Sequence, residues 1–413
     1  MPLNKFHFLF LISISFFHFG TSQQIEVCPD CEIKSIQQAV DLAEEGDRIL
    51  IKDGLYKEHD ITINKTLSIF GEDHVVVDGE DAGTIFHISA DHFRMENLSI
   101  MNVGKSYTKD FAAILLSKSE NFVLRKITLK NIFFGMLIEK SNHGVIEHNT
   151  IISDATEQAG SGNGIHLWHC DDVQINDNSV TGVRDGIYFE FVSNSKVFRN
   201  NSFENLRYGL HFMFSNNDTY YDNTFSKNGA GVAVMFSKFI TMKNNVFIEN
   251  WGSASYGLLL KEIYDTEIIK NRFEQNTMGV SVDGSTRVNF KENTFIRNGW
   301  AVNVIGACYD NKFYQNNFMH NSFDLSYNGK LNSNEFDQNY WSDYTGYDLD
   351  ENGIGDVPYR PVKLFSYIVN RSPETIVLLR SLFVDLINFS EKVSPIFTPD
   401  NLIDENPLMK ENK

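Results

Sequence analysis

Short apolar runs recur along this chain at a near-constant step, and within each run apolar and other residues alternate with period two. GIHLW, GIYFE, GLHFM, GVAVM, GLLLK and GVSVD all have this form, which predicts short strands with one buried face. Between them the frame Asn-x-Phe returns at Asn201, Asn223, Asn245, Asn271, Asn293 and Asn316. Its phenylalanines, Phe203, Phe225, Phe247, Phe273, Phe295 and Phe318, are 22, 22, 26, 22 and 23 residues apart. Looser copies begin at Asn97, Asn149 and Asn178. A repeat of that length, with strands and Asn or Gly corners, predicts one turn of a solenoid. The expected fold is all-β: a right-handed parallel β-helix with about 22–23 residues per turn. A propeller needs blades of about 40 residues, and a sandwich needs hairpin signals. Neither pattern is present.

Stacked turns lie about 4.8 Å apart, so equivalent positions form columns. The Phe column is expected inside the coil, and the Asn column at a bend where its amides bond the next turn. Counting from each glycine, the first and third residues that follow are all apolar and predicted to point inward. The second and fourth then point outward, and they include His166, Trp168, Tyr188, Glu190, His211, Met213, Met235 and Lys261.

The ends break the pattern. Ser35 to Tyr56 reads as a capped helix, with Ile36, Ala39, Val40 and Ala43 on one face, followed by a strand. From Pro373, PETIVLLRSLFVDLINFSEKV predicts a helix with Leu378, Leu379, Leu382, Leu386 and Phe389 along one side. It reads either as a cover folded over the last turn or as a docking arm for another protein. The segments predicted are a leader over 1–22, an N-terminal segment and helical cap over 23–56, the β-helix over 57–345, an Asp/Asn/Gly loop over 346–372, and a C-terminal helix and docking tail over 373–413.

The leader follows from Lys5, the apolar run Phe6 to Phe19 and the small-residue exit GTSQQ, which together resemble a cleaved secretory signal ending near Ser22. The run is short for a membrane span, and no later stretch approaches the ~20 residues a spanning helix needs. An exported protein that does not span the membrane is expected. Composition then narrows the partners. With 54 acidic and 36 basic residues the formal charge is −18, which repels phosphate backbones and argues against nucleic acid. Phe is over-represented, at 34 against 4 Trp, as an internal column requires.

Three groups carry candidate chemistry. On the outward face, His211 with Met213 and Met235, extended by His166, forms a thioether and imidazole set suited to Cu(I). Trp168, Tyr188, Glu190 and Lys261 beside it make a candidate partner surface, since exposed apolar groups in a patch mark interaction sites. Alternatively Asp185, Glu190, Arg184 and Arg207 would process an acidic sugar as a lyase, epimerase or hydrolase. Second, Asp348-x-Asp350-x-Asn352-Gly353-x-x-Asp356 spaces oxygen ligands as a calcium loop does, with Tyr359 where a bidentate Glu belongs. It reads as calcium-binding or as an Asx-turn loop. Third, Cys28-Pro-Asp-Cys31 is a candidate local disulfide in an oxidising compartment. Cys170 and Cys308, about six turns and roughly 29 Å apart, cannot bridge and are expected as buried thiols.

The runs RDGIYFEF, LRYGLHFMFS, GAGVAVMFS and YGLLLKEI, then NYWSDYTGYDLDENGIGDVPYRP and ENPLM, resemble the NosD family over nearly the whole mature chain. That resemblance implies a periplasmic, copper-binding accessory protein rather than an enzyme. It further implies partners: an ABC transporter permease and ATPase, a copper chaperone lipoprotein, and nitrous oxide reductase, whose copper-sulfur centre is assembled. The Cys28–Cys31 pair lies outside the family pattern.

Overall fold

The computed structural model describes residues 22–252, 254–328, 333–393 and 402–412. The leader, apart from residue 22, lies outside the described residues, as do 394–401 of the tail. Three parallel sheets of 14, 12 and 13 strands run the length of the coil. From Arg48 on, each strand pairs with the third one on in sequence, so each of these turns contributes one strand to each sheet.

The inward rows are those expected. Ile187, Phe189, Leu210, Phe212, Val232 and Val234 are completely buried, because period two places them all on the concave side. Phe225, Phe247, Phe273, Phe295, Phe318 and finally Trp341 stack ring on ring, with centroids 4.1 to 5.5 Å apart. Phe203 does not join them. Its turn is one residue out of frame: Ser202 pairs with Phe225, while Phe203 pairs with Ser226 and turns outward. Asn200, not Asn201, fills the asparagine column.

That column is a ladder buried at one corner. From Asn149 to Asn339, the backbone N–H and side-chain Nδ2 of each asparagine both donate to Oδ1 of the next. The Nδ2 also donates to a carbonyl of a neighbouring turn. Every buried amide is thereby paired, which removes the desolvation cost that would otherwise exclude it. A second ladder runs from Asn205 to Asn321. Both ladders end on carboxylates: Asn321 donates to Asp324, and Asn339 to Asp404. Cys170 and Cys308 occupy a serine column six turns apart and donate their thiols to carbonyls as the serines donate hydroxyls. Burial pushes the Cys170 thiol up to about 11.

The ends correct the segment boundaries. Helix α1 (Ile36–Leu42) is capped by the Ser35 side chain, which accepts from Gln38 N, and buries Ile36, Ala39 and Val40 as expected. However, the strand Gln24–Val27 precedes it and pairs with Arg48–Ile51. The coil therefore begins within 23–56, and α1 is an excursion from its first turn. At the other end the chain forms α2 (Leu364–Arg371), a 3₁₀ piece Pro373–Leu378 and α3 (Leu382–Val393) instead of one long helix from Pro373. Phe365, Val369, Val384, Leu379 and Ile387 pack against Trp300, Phe323 and Met278 of the twelve-stranded sheet. The stripe Leu382, Leu386 and Phe389 faces outward, at 73%, 58% and 66% exposure.

The tail returns to its own coil. Asp404 is fully buried and accepts from Asn339 N and Nδ2 and from Trp341 Nε1. Leu408 N donates to Asn339 O, and Asn412 bonds Asn317. The segment containing ENPLM is thus a plug on the last turn, not a free arm. Its apolar and amide groups are already used in cis.

Candidate metal centre

Parallel register builds two columns on the outer face of the twelve-stranded sheet. His166, Tyr188, His211 and Ala233 form one. Trp168, Glu190, Met213, Met235 and Lys261 form the next. His211 and Met213 leave the same strand two residues apart, and Met213 is the direct register partner of Met235. The structure therefore gathers all four copper candidates on one face, with His166 two turns from His211.

Rings wall this face. His166 and Tyr188 lie 4.6 Å apart, Tyr188 and His211 4.7 Å, and Tyr208 packs on His211 at 4.8 Å. His211 keeps only 5% of its surface exposed. Tyr188 donates its hydroxyl to the Met213 sulfur at 3.6 Å. Burial, then the charge of Glu190, pushes the Tyr188 phenol up to about 12, so it remains a donor at neutral pH.

Behind the rings sits a buried ion pair. Asp185 has no exposed surface. It accepts from Arg207 Nε at 2.8 Å and from Arg207 Nη2, and from Tyr208 N at 3.3 Å. His211 Nδ1 is 3.6 Å from Asp185 Oδ2, a few tenths of an ångström outside hydrogen bonding. Burial pushes the Asp185 carboxyl up, but hydrogen bonds and charge from Arg207 and His211 outweigh it and hold the group below the usual carboxylate range. One turn earlier the arrangement repeats with an amide: Arg184 Nε donates to Asn163 Oδ1 at 3.2 Å, and Asn163 Nδ2 lies 3.5 Å from His166 Nδ1. Burial, then the Arg184 charge, lowers the His166 pKa to about 4, so this imidazole is neutral.

Of nine buried side-chain nitrogen or oxygen atoms without a hydrogen-bond partner among the described residues, three belong to these histidines: His166 Nε2 and both ring nitrogens of His211. Buried polar atoms are normally paired. A buried imidazole with an open nitrogen, next to two thioethers, is chemistry that suits a soft monovalent cation better than water or calcium. No group of three or more His, Cys, Asp or Glu side chains disposed to hold a metal occurs among the described residues.

The remaining candidates separate. Trp168 carries Lys140 over its ring at 4.9 Å, and it begins an edge-exposed stack through His169, Phe191, Phe214 and Phe236 that flanks Met213 and Met235. These rings escaped the sequence reading because Phe191, Phe214 and Phe236 occupy left-handed corners, with φ of 53 to 54°, where period two fails. Asp185 and Glu190 are the two ends of a six-residue strand, about 16 Å apart. The paired carboxylates of glycosidases need about 5–9.5 Å, so this pair does not fit them. The calcium reading of Asp348, Asp350, Asn352 and Asp356 is also corrected. Asp348 accepts from Asn352 N and Gly353 N, Asp350 from Asn352, and Asp356 from Leu349 N. The oxygens turn onto the loop's own amides, as in Asx turns. Cys28 and Cys31 are joined by a disulfide in the first turn, far from this face. Asp185 with Arg207 and Asn163 with Arg184 are supports that column reading could have found, since each pair repeats after 22 or 23 residues.

Known proteins share sequence and fold with this chain. The family model described as "Periplasmic copper-binding protein (NosD)" matches residues 153–346, the stretch that carries both columns. "Probable ABC transporter binding protein NosD" of Pseudomonas aeruginosa is 27% identical over 367 residues, 84% of this chain and 85% of that one. The protein of the same name from Stutzerimonas stutzeri is 25% identical over 369 residues, 84% of each. Among solved structures, the Yersinia enterocolitica family 28 exopolygalacturonase superposes with a TM-score of 0.63 at 13% identity, covering 76% of this chain and 78% of that one. The Streptococcus pneumoniae adhesin PfbA gives 0.53 at 12%, covering 72% and 94%. An enzyme and an adhesin at such identities share the coil alone. The chain is thus similar to the NosD family, which is described as periplasmic and copper-binding.

Proposed function

We propose that this protein is an exported accessory of an ABC transporter that carries Cu(I) as cargo on the outer face of its twelve-stranded sheet. His211, Met213 and Met235 hold the ion, with His166 in reserve on the same column. The copper serves assembly of the copper-sulfur centre of nitrous oxide reductase, arriving from a lipoprotein chaperone. The observation that carries this reading is the pair of open ring nitrogens on a nearly buried His211 beside two register-paired methionines. Competition titration against a chromogenic Cu(I) chelator tests it. Wild type should compete for one ion, and Met213→Ala with Met235→Ala should weaken binding at least tenfold. Unchanged affinity in the double variant overturns the site, and cleavage of a uronan without copper binding would favour the sugar-processing alternative.

Docking on the transporter's permease, with its ATPase behind, is assigned to α3. Its outward stripe of Leu382, Leu386 and Phe389 is unusually apolar for a surface, while the returning segment 402–412 is occupied in cis. Deleting the whole tail would therefore confound docking with loss of the plug. Leu386→Lys with Phe389→Lys should abolish co-purification with the transporter at unchanged melting temperature, and retained co-purification refutes the assignment.

A further inference from the structure

The two histidines of the site column are not equivalent, and the difference lies in the residues behind them. Arg184 and Arg207 hold corresponding positions on successive turns, as do Asn163 and Asp185, since Ile165 pairs with Ile187 and Ile187 with Leu210. Arginine has only donors, so each must face an oxygen. Arg184 fixes the Asn163 amide with Oδ1 toward itself, and Nδ2, a donor, is turned toward His166 Nδ1. That nitrogen must then accept, and the His166 proton resides on Nε2. Behind His211 stands a carboxylate, which can only accept; it comes not from the histidine's own turn, as Asn163 does for His166, but from the preceding one, where Asp185 is the register partner of Tyr208. Asp185 is clamped by two Arg207 nitrogens and Tyr208 N, has no exposed surface, and faces His211 Nδ1 at 3.6 Å. That nitrogen is the one that carries a proton.

We propose that Asp185 is a positioning residue that holds His211 as the Nδ1–H tautomer, so that Nε2 offers its lone pair to the cargo, whereas Asn163 sets His166 in the opposite tautomer and withholds it. This rests on the copper reading and deepens it: His211 is the ligand, bound through Nε2, and His166 is not. Carboxylate behind imidazole is a general way of orienting a metal-binding histidine. Here one atom of difference, Nδ2 against Oδ2, separates a ligand from a neighbouring imidazole on the same column.

The experiment combines long-range nitrogen–proton NMR of histidine-labelled apoprotein, at about pH 8 where an ordinary imidazole is neutral, with Cu(I) titration. Wild type should show His211 protonated at Nδ1 and His166 at Nε2. In Asp185→Asn, Oδ1 can stay with Arg207 Nε and Tyr208 N while an amide donor replaces Oδ2 opposite His211, at the loss of the Arg207 Nη2 bond, so His211 should change to the Nε2–H form and Cu(I) affinity should fall about 10- to 100-fold. Asn163→Asp, which keeps an oxygen for Arg184, should move the His166 proton to Nδ1 and keeps the test open if Asp185→Asn does not fold. His211 protonated at Nε2 in wild type, or no tautomer change in a folded variant, overturns the inference. So does Asp185→Asn binding within twofold of wild type while His211→Ala loses the ion. Unchanged binding in His211→Ala overturns the copper site itself, and the tautomer assignments are then judged by NMR alone.

Discussion

Two kinds of polar column run along this coil, and they are built on opposite terms. In the Asn ladders every side-chain amide donates and accepts across turns. In the column through His166, Tyr188 and His211, rings stack at similar spacing but three ring nitrogens have no partner. The asparagines are buried, whereas in the ring column His211 is buried and His166 and Tyr188 are half-buried; both columns arise from the same 22–23-residue step. The difference shows that repetition alone does not satisfy polar groups. Asparagine satisfies its copy one turn on because it carries donor and acceptor in one amide, whereas an imidazole stacked on phenol has no such complement. Where the molecule needs rigidity it repeats a self-complementary residue. At the site it breaks the repeat with His, Tyr, His and Ala in succession.

The sharpest way to break that contrast is within the ladder. Asn245→Ala should cost about 2–5 kcal/mol, since Asn223 N and Nδ2 both lose their acceptor while remaining buried, and urea unfolding measures it. His211→Ala should cost less, about 1–2 kcal/mol from the lost ring packing between Tyr188 and Tyr208, because its nitrogens complete no hydrogen bond. A ladder variant as mild as the histidine variant would show that the two columns do not differ as described.

The carboxylate ends come next. Burial raises Asp324 from its usual 3.8 to about 6, so the folded state binds that proton more tightly than the unfolded chain. Its contribution to stability is complete below pH 3.8 and is lost as the pH rises through about 6. Asp324→Asn should therefore raise the melting temperature at pH 7 by about 2–6 °C and converge with wild type near pH 4. Parallel pH profiles for the two proteins would refute this. The smallest effect belongs to Tyr188→Phe. Losing a single hydroxyl on the Met213 sulfur should alter Cu(I) affinity less than threefold, and a loss matching the Met213/Met235 double variant would make Tyr188 part of the site.

Much of the coil was legible because its information is local and periodic. The inward rows and the Asn column needed only period two and a constant step. Phe203 shows the limit: a one-residue slip between Asn200 and Asn201 preserves the motif Asn-Ser-Phe but turns its ring outward. The Asp348 loop shows another, because the spacing that suits a cation also suits Asx turns, and only the direction of the oxygens distinguishes them. His211, Met213 and Met235 were legible as outward residues, but the burial of His211 was not. It depends on Tyr208 and Tyr188, which approach from the start of the same strand and from the neighbouring turn. The apolar stripe of α3 reads equally as a cover or as a docking arm, and packing falls on Val384 and Ile387, on the opposite side of the helix.

The Asp404 plug also fixes the order in which the molecule can be finished. Its carboxylate reaches Asn339 across 65 residues, and α2 and α3 are enclosed in that span. For a chain that emerges from its N-terminus, turns can stack as they appear, but the last rung waits for residue 404. The helices proposed to meet a transporter therefore gain their second anchor only once residue 404 has emerged, and a chain cut before it would leave the last rung of the ladder without its carboxylate.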